Sequence, residues 1–118
     1  MLKNNRRAAG SFGLPALLGL FGALLPAGAA QASSPCPYYT FCAFPYANFR
    51  GQAVYAEDCA AVYKFRWSST NGSWINNQTP GTRARINYMD GTHWYVPGAY
   101  SEQSSGMGWY RVDSIEPC

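Results

Sequence analysis

A chain of 118 residues with a formal charge of +3 is long enough for one small domain. The excess cations, Lys3, Arg6 and Arg7, all lie near the start. From Ser33 onward six cations (Arg50, Lys64, Arg66, Arg83, Arg85, Arg111) meet six acids (Glu57, Asp58, Asp90, Glu102, Asp113, Glu116), so the domain offers no basic stripe and nucleic acid is excluded as a partner.

Lys3, Arg6 and Arg7 precede an apolar run from Phe12 to Leu25, and "PAGAAQAS" follows. Ala30-Gln31-Ala32 is the small-x-small pattern of a signal-peptidase site, which places cleavage after Ala32, with Ala29 the weaker alternative. The run is about fourteen residues, short of the roughly twenty that span a bilayer, so it reads as a leader and not an anchor. "NNRRAAGSF" matches a twin-arginine signal poorly. The expected organisation is a signal peptide over 1–32 and a single secreted, extracellular domain over 33–118, with no membrane association after cleavage.

All four cysteines, Cys36, Cys42, Cys59 and Cys118, fall beyond that site. An even number in an exported domain of about this size predicts two disulfides. Three pairings are possible. The preferred one is Cys42–Cys59, closing a loop worth roughly 3 kcal/mol, with Cys36–Cys118 tying the ends together for somewhat more. A zinc cage would need closer cysteine pairs than these.

In chain order, Tyr38–Phe44, Gln52–Ala56 and Ser73–Asn77 read as strands, and "CAAVYKF" is the one place for a helical turn. "RARINY" alternates, with Ala84, Ile86 and Tyr88 on one side and Arg83, Arg85 and Asn87 on the other, which predicts a half-buried strand. "TPGT" turns into it and Asp90-Gly91 turns out of it towards "HWYV". Arg111–Ile115 closes the series. Short strands every ten residues or so, with one lysine and no leucine after the leader, predict an all-β sandwich or barrel.

Within "FPYANFRG" the spacing Phe44, Phe49, Gly51 predicts a turn that folds back over its own sheet, with Phe49 against Phe44 and a positive φ at Gly51. Ser73 precedes a hydrophobic strand some twenty residues on. A weaker echo follows: Tyr88 stands where Phe44 does, and Ser114-Ile115 where Ser73-Trp74 does, about forty residues later.

Aromatic-x(4)-Phe-x-Gly followed by that serine resembles a Greek-key motif of the βγ-crystallin fold, and two such motifs imply a double Greek-key sandwich of two antiparallel sheets. "CPYYTFCAFPYANFRG", "SSTNGSWINNQT", "INYMDGTHWYVPG" and the closing "DSIEPC" together resemble a secreted bacterial peptidase-inhibitor family of that fold, typified by a streptomycete metalloproteinase inhibitor. "YMDGTHW" lacks the Phe and Gly of the pattern, so the second hairpin departs from the family.

That resemblance makes calcium the one candidate cofactor. Its oxygen-rich motif falls on Ser68, Ser69, Gly72 and Ser73, and again on Trp109, Tyr110, Asp113 and Ser114, leaving Ser69, Ser73, Asp113 and Ser114 as weak donors. Hydroxyls and aromatics stand where carboxylates belong. A backbone-satisfying role for Ser73 and Ser114 is the simpler reading.

No catalytic residue is assigned. His93 is the only histidine, and Asp90, three residues away across a turn, is badly placed to orient it. Glu57 and Asp58 are adjacent and diverge. Of seventeen aromatics in the domain most must fill the core. For Trp67, Trp94, Trp109 and Tyr110, near loops or strand ends, core packing is the first reading and surface binding the second, which makes them the candidate surface-binding aromatics. Asn71-Gly72-Ser73 and Asn77-Gln78-Thr79 are formal glycosylation sequons.

The resulting expectation is a monomeric, non-enzymatic, secreted inhibitor that inserts a rigid loop into the cleft of an extracellular protease of the metalloprotease class. No motif marks the inhibitory loop. The alternatives are a non-inhibitory extracellular module that binds cell-wall glycan or protein through its aromatics, and a calcium-using stress or antimicrobial protein of the same fold.

Overall fold

The computed structural model describes residues 34–118, and the expected signal peptide lies outside the described residues. Eight strands run in chain order: β1 Thr40–Phe44, β2 Val54–Ala56, β3 Tyr63–Lys64, β4 Gly72–Asn77, β5 Arg85–Tyr88, β6 His93–Tyr95, β7 Ser101–Met107 and β8 Val112–Glu116. They form two four-stranded sheets, ordered β2-β1-β4-β7 and β3-β8-β5-β6, with every pairing antiparallel. The third strand of each half crosses to the other half's sheet, so neither half can close its sheet alone.

Alternation decides which face of each strand is buried. Phe41 and Ala43 of β1, Trp74 of β4, Ile86 of β5 and Ile115 of β8 point between the sheets with Val112 and Trp109. Ala84 and Ile86 are fully buried and Tyr88 packs at the margin, as the alternation in "RARINY" predicts. On the outer face of the first sheet Cys42, Phe44 and Ile75 form a second cluster with Cys36, flanked by Phe49, Ala53 and Tyr100.

The hairpin after β1 is folded back. The rings of Phe44 and Phe49 meet edge to face at 5.8 Å, and Gly51 has φ +92°. A Cβ there would stand 2.5 Å from the Pro45 ring, so glycine is required twice over. The Ser73 hydroxyl accepts from the Phe49 amide (2.9 Å) and donates to the Tyr46 carbonyl (2.6 Å). The second hairpin is an ordinary tight turn: Gly91 N–H donates to Tyr88 O, the Asp90 carboxylate accepts from the Thr92 amide and hydroxyl, and Ser114 accepts from the Asn87 side chain, not from hairpin backbone.

Two expectations are corrected, and one strand that no expectation covered is added. "CAAVYKF" forms a turn at Cys59-Ala60 and then the short strand β3, because the alternating Tyr63, Phe65 and Trp67 pack on the core. β7, "SEQSSGM", carries no apolar alternation. It is an edge strand with one neighbour, and its polar side chains suit that exposed place. The disulfides are Cys36–Cys42 and Cys59–Cys118, not Cys42–Cys59 and Cys36–Cys118. Cys42 points to the outer face of the first sheet, where the Cys36 turn lies over it. Cys59, after the chain has left that sheet, meets the end of the β8 segment.

Candidate functional site

Both cystines lie at one end of the sandwich, and each holds an exposed loop. Cys36–Cys42 closes a small ring around Pro37-Tyr38-Tyr39. Cys59–Cys118 pins the β2–β3 loop, Glu57 to Val62. In that loop Glu57, Asp58, Cys59, Ala60 and Val62 are exposed.

The loop is ordered by its own residues. Asp58 Oδ1 accepts from Ala60 N–H (2.9 Å), a side-chain turn of the kind aspartate favours, and the Asp58 carbonyl accepts from Ala61 N–H (3.0 Å). Tyr63 packs its ring against the core while its hydroxyl accepts from the Glu57 and Asp58 amides at 3.3 and 3.0 Å. One cystine and four hydrogen bonds therefore hold six residues.

A buried amide ladder braces this end from beneath. Asn76 Nδ2 donates to the Thr82 and Pro97 carbonyls (2.8 and 3.0 Å), Asn77 Nδ2 to the Cys36 carbonyl (2.8 Å), and Gln78 Nε2 to Asn76 Oδ1 and the Pro117 carbonyl (3.1 and 2.8 Å). The "NNQ" stretch thus ties together the segments next to both cystines. Asn77 is 1% exposed, so the sequon that begins there is closed to a glycan.

Tyr39 adopts φ +69°, a left-handed conformation that costs a side-chain-bearing residue about 1–2 kcal/mol. Its amide donates to the Asn77 carbonyl at 2.7 Å, which holds the strained turn in place. The rings of Tyr38 and Tyr39 lie 4.0 Å apart, and both are exposed. Tyr39 shares an open depression of about 370 Å³ with Glu57, Cys59, Thr79, Thr82 and Cys118, so the two loops form one continuous surface.

The sequence-nominated aromatics separate. Trp109 is fully buried, a correction: its indole N–H donates to the Phe44 carbonyl (2.8 Å), and its ring fills the space left by Gly72, where a Cβ would stand 2.2 Å from it. Trp67 is half-buried between Phe65 and Trp109. Trp94 lies on the edge strand β6, edge to face with the buried Trp74 at 6.1 Å, and is 37% exposed. Tyr110 is exposed beside Met89 and Arg111 at the opposite end from the cystines.

Two of the calcium candidates besides Asp113 are engaged elsewhere: Ser73 belongs to the folded hairpin and Ser114 accepts from Asn87. Ser69 differs, since its carbonyl accepts from Tyr110 N–H while its buried hydroxyl has no hydrogen-bond partner. Asp113 faces Lys64 Nζ at 3.2 Å and Arg66 at 3.6 Å, and the Lys64 hydrogen bond, with a second from Ser114, holds its carboxyl below the usual carboxylate range. A lone carboxylate already faced by two cations does not fit a divalent ion. Among the described residues, no three of His, Cys, Asp and Glu come together. The exposed His93 has Arg85 as its polar neighbour (3.4 Å) and stacks edge to face on Tyr95.

No family model, curated protein or solved structure matches the chain. Among the described residues no helix is long and apolar enough to cross a membrane.

Proposed function

We propose that this protein is an extracellular peptidase inhibitor that offers the β2–β3 loop, Glu57 to Val62, to a protease cleft. The observation that carries the reading is the anchoring of that exposed loop by Cys59–Cys118, the Asp58 turn and the Tyr63 hydroxyl. A segment already fixed in one conformation loses little entropy when a protease grips it, and so binds better than a flexible peptide of the same sequence. If the protease cuts the loop, β2 and the cystine hold the upstream end and β3 holds the downstream end. The two ends stay in the cleft instead of leaving as product.

Ala60, Ala61 and Val62 present small and branched apolar side chains and no cation, which suits a cleft with an apolar or narrow specificity pocket and not one built for lysine or arginine. Two cystines persist in an oxidising compartment, in keeping with action outside the cell. The crossed third strands and the folded Phe44–Phe49–Gly51 hairpin held by Ser73 favour a βγ-crystallin-like double Greek key, the scaffold of the inhibitor family that the sequence resembles.

The test is inhibition of a thermolysin-like metalloprotease and an elastase-like serine protease by the mature protein. Inhibition at micromolar or lower concentration is expected with at least one of them, weakened at least tenfold by Val62→Asp at unchanged melting temperature. Undiminished activity of both enzymes at micromolar excess of inhibitor would overturn the reading. A second reading, an extracellular glycan-binding module, draws on the exposed Trp94 and Tyr95 of edge strand β6. It predicts retention on insoluble peptidoglycan or chitin, lost in Trp94→Ala.

A further inference from the structure

We propose that the Tyr38–Tyr39 pair is a second contact with the same protease, an anchor that docks on the rim of the cleft whose interior takes the Glu57–Val62 loop. The proposal rests on the inhibitor reading above and adds a surface that neither the folded hairpin nor the loop explains. It begins from a mismatch between how firmly Tyr39 is held and how little it buries. The residue sits in the left-handed region, its amide is fixed to Asn77, and a cystine closes the ring around it. Yet its side chain is 61% exposed, and its ring neighbour is Tyr38, itself 44% exposed. A glycine would take this φ without strain and a polar residue would be better solvated. Backbone strain at an exposed, over-determined position marks a site whose use lies outside the folded chain.

The chemistry of the pair suits a protein partner. Tyrosine offers a large amphipathic surface with few rotatable bonds, and such residues dominate the energetics of protein interfaces. The position suits the partner of the loop. Tyr39 lines the same depression as Glu57 and Cys59, so a body that encloses residues 57–62 meets Tyr39 at its edge. That depression carries one side-chain carboxylate, Glu57, among hydroxyls, an amide and an aromatic ring, and its lining includes no cationic side chain. A lysine or arginine side chain on the protease rim fits it, lying against the Tyr39 ring with its charge towards Glu57.

The experiment compares wild type with Tyr39→Gly, Glu57→Gln and Val62→Asp in the full secreted protein, reading inhibition constants at low and high salt together with melting temperature. Tyr39→Gly removes the ring and relieves the strained φ, so the fold is retained. It is expected to weaken inhibition at least tenfold while the melting temperature holds or rises. Glu57→Gln is expected to weaken inhibition three- to tenfold at low salt and to flatten its salt dependence. If wild type and Val62→Asp differ as expected but Tyr39→Gly inhibits within twofold of wild type, the anchor is refuted and the loop reading stands. If wild type inhibits neither protease, both proposals fall.

Discussion

The Phe49 amide donates to the Ser73 hydroxyl at 2.9 Å, joining residues 24 apart in sequence. Ser73 is fully buried and also donates to the Tyr46 carbonyl, so a single hydroxyl closes the folded hairpin from both sides. Replacing it takes the partner from two partly buried backbone groups, each at a cost of about 1–3 kcal/mol where water cannot take its place. Ser73→Ala should therefore lower stability by about 2 kcal/mol or more, a fall in melting temperature of roughly 8–16 °C for a domain of this size. Ser114→Ala removes an acceptor for the Asn87 side chain, which keeps Glu116 as a partner, and a donor to the exposed Asp113 carboxylate, and should cost about 1 kcal/mol or less.

Gly72 and Gly81 separate two reasons for glycine. At Gly72 an added Cβ would collide with the Trp109 ring, which is fully buried and hydrogen-bonded and so cannot swing away. Gly72→Ala should cost about 3 kcal/mol and shift the tryptophan emission of the folded protein. Gly81 has φ +86° and open space around its Cα, so Gly81→Ala bears the conformational cost alone, about 1 kcal/mol. Denaturant melts of the two variants check the difference.

The two cystines should differ in their contribution. Cys59–Cys118 closes a loop of 59 residues and Cys36–Cys42 one of 6, which on chain entropy gives about 4 and about 2 kcal/mol respectively. Peptide mapping under non-reducing conditions should recover these two pairings. Cys59→Ser with Cys118→Ser should produce the larger loss in a denaturant melt, and it should abolish protease inhibition before it abolishes folding.

Asp113 links pH to stability. Its carboxyl titrates below the ordinary value in the fold because Lys64 and Ser114 hydrogen-bond the ionised form. The folded state therefore binds a proton less readily than the unfolded chain. The stabilisation is complete above the usual aspartate pKa of about 3.9 and disappears as pH falls through the lower folded value. Asp113→Asn should flatten the acid side of the melting-temperature profile by lowering the plateau above about pH 4 and leaving the acid end unchanged, and the drop should be small, since an exposed ion pair contributes little. With its two cations already in place, Asp113 should take no calcium. Equal melting temperatures in millimolar calcium and in chelator are expected.

Strand alternation and turn chemistry are local properties, and they were legible in the chain. Ala84, Ile86 and Tyr88 announce their buried side, Asp90-Gly91 its tight hairpin, and Phe44, Phe49 and Gly51 the folded turn. What periodicity could not indicate was β7, since an edge strand need bury only one residue, Met107, and its polar run looks like a loop. β3 does carry a pattern, Tyr63, Phe65 and Trp67 alternating with Lys64, Arg66 and Ser68, but the stretch "CAAVYKF" shows only its first two apolar positions and reads as a helical turn.

Cystine pairing and the candidate site depend on contacts between residues distant in sequence. Four cysteines in order permit three pairings, and loop entropy does not select the one found, which totals about 6 kcal/mol against about 8 for the expected one. The choice rests on which face of β1 carries Cys42 and on where β8 ends relative to the β2–β3 loop. Whether Trp109 packs inside or binds outside was decided by Gly72, 37 residues earlier, which leaves space for its ring. Chain-local rules set each strand's inward side. Only the crossing of the third strands brought Tyr39, Glu57 and both sulfur bridges to one end, because packing two sheets fixes distances that no stretch of sequence carries alone.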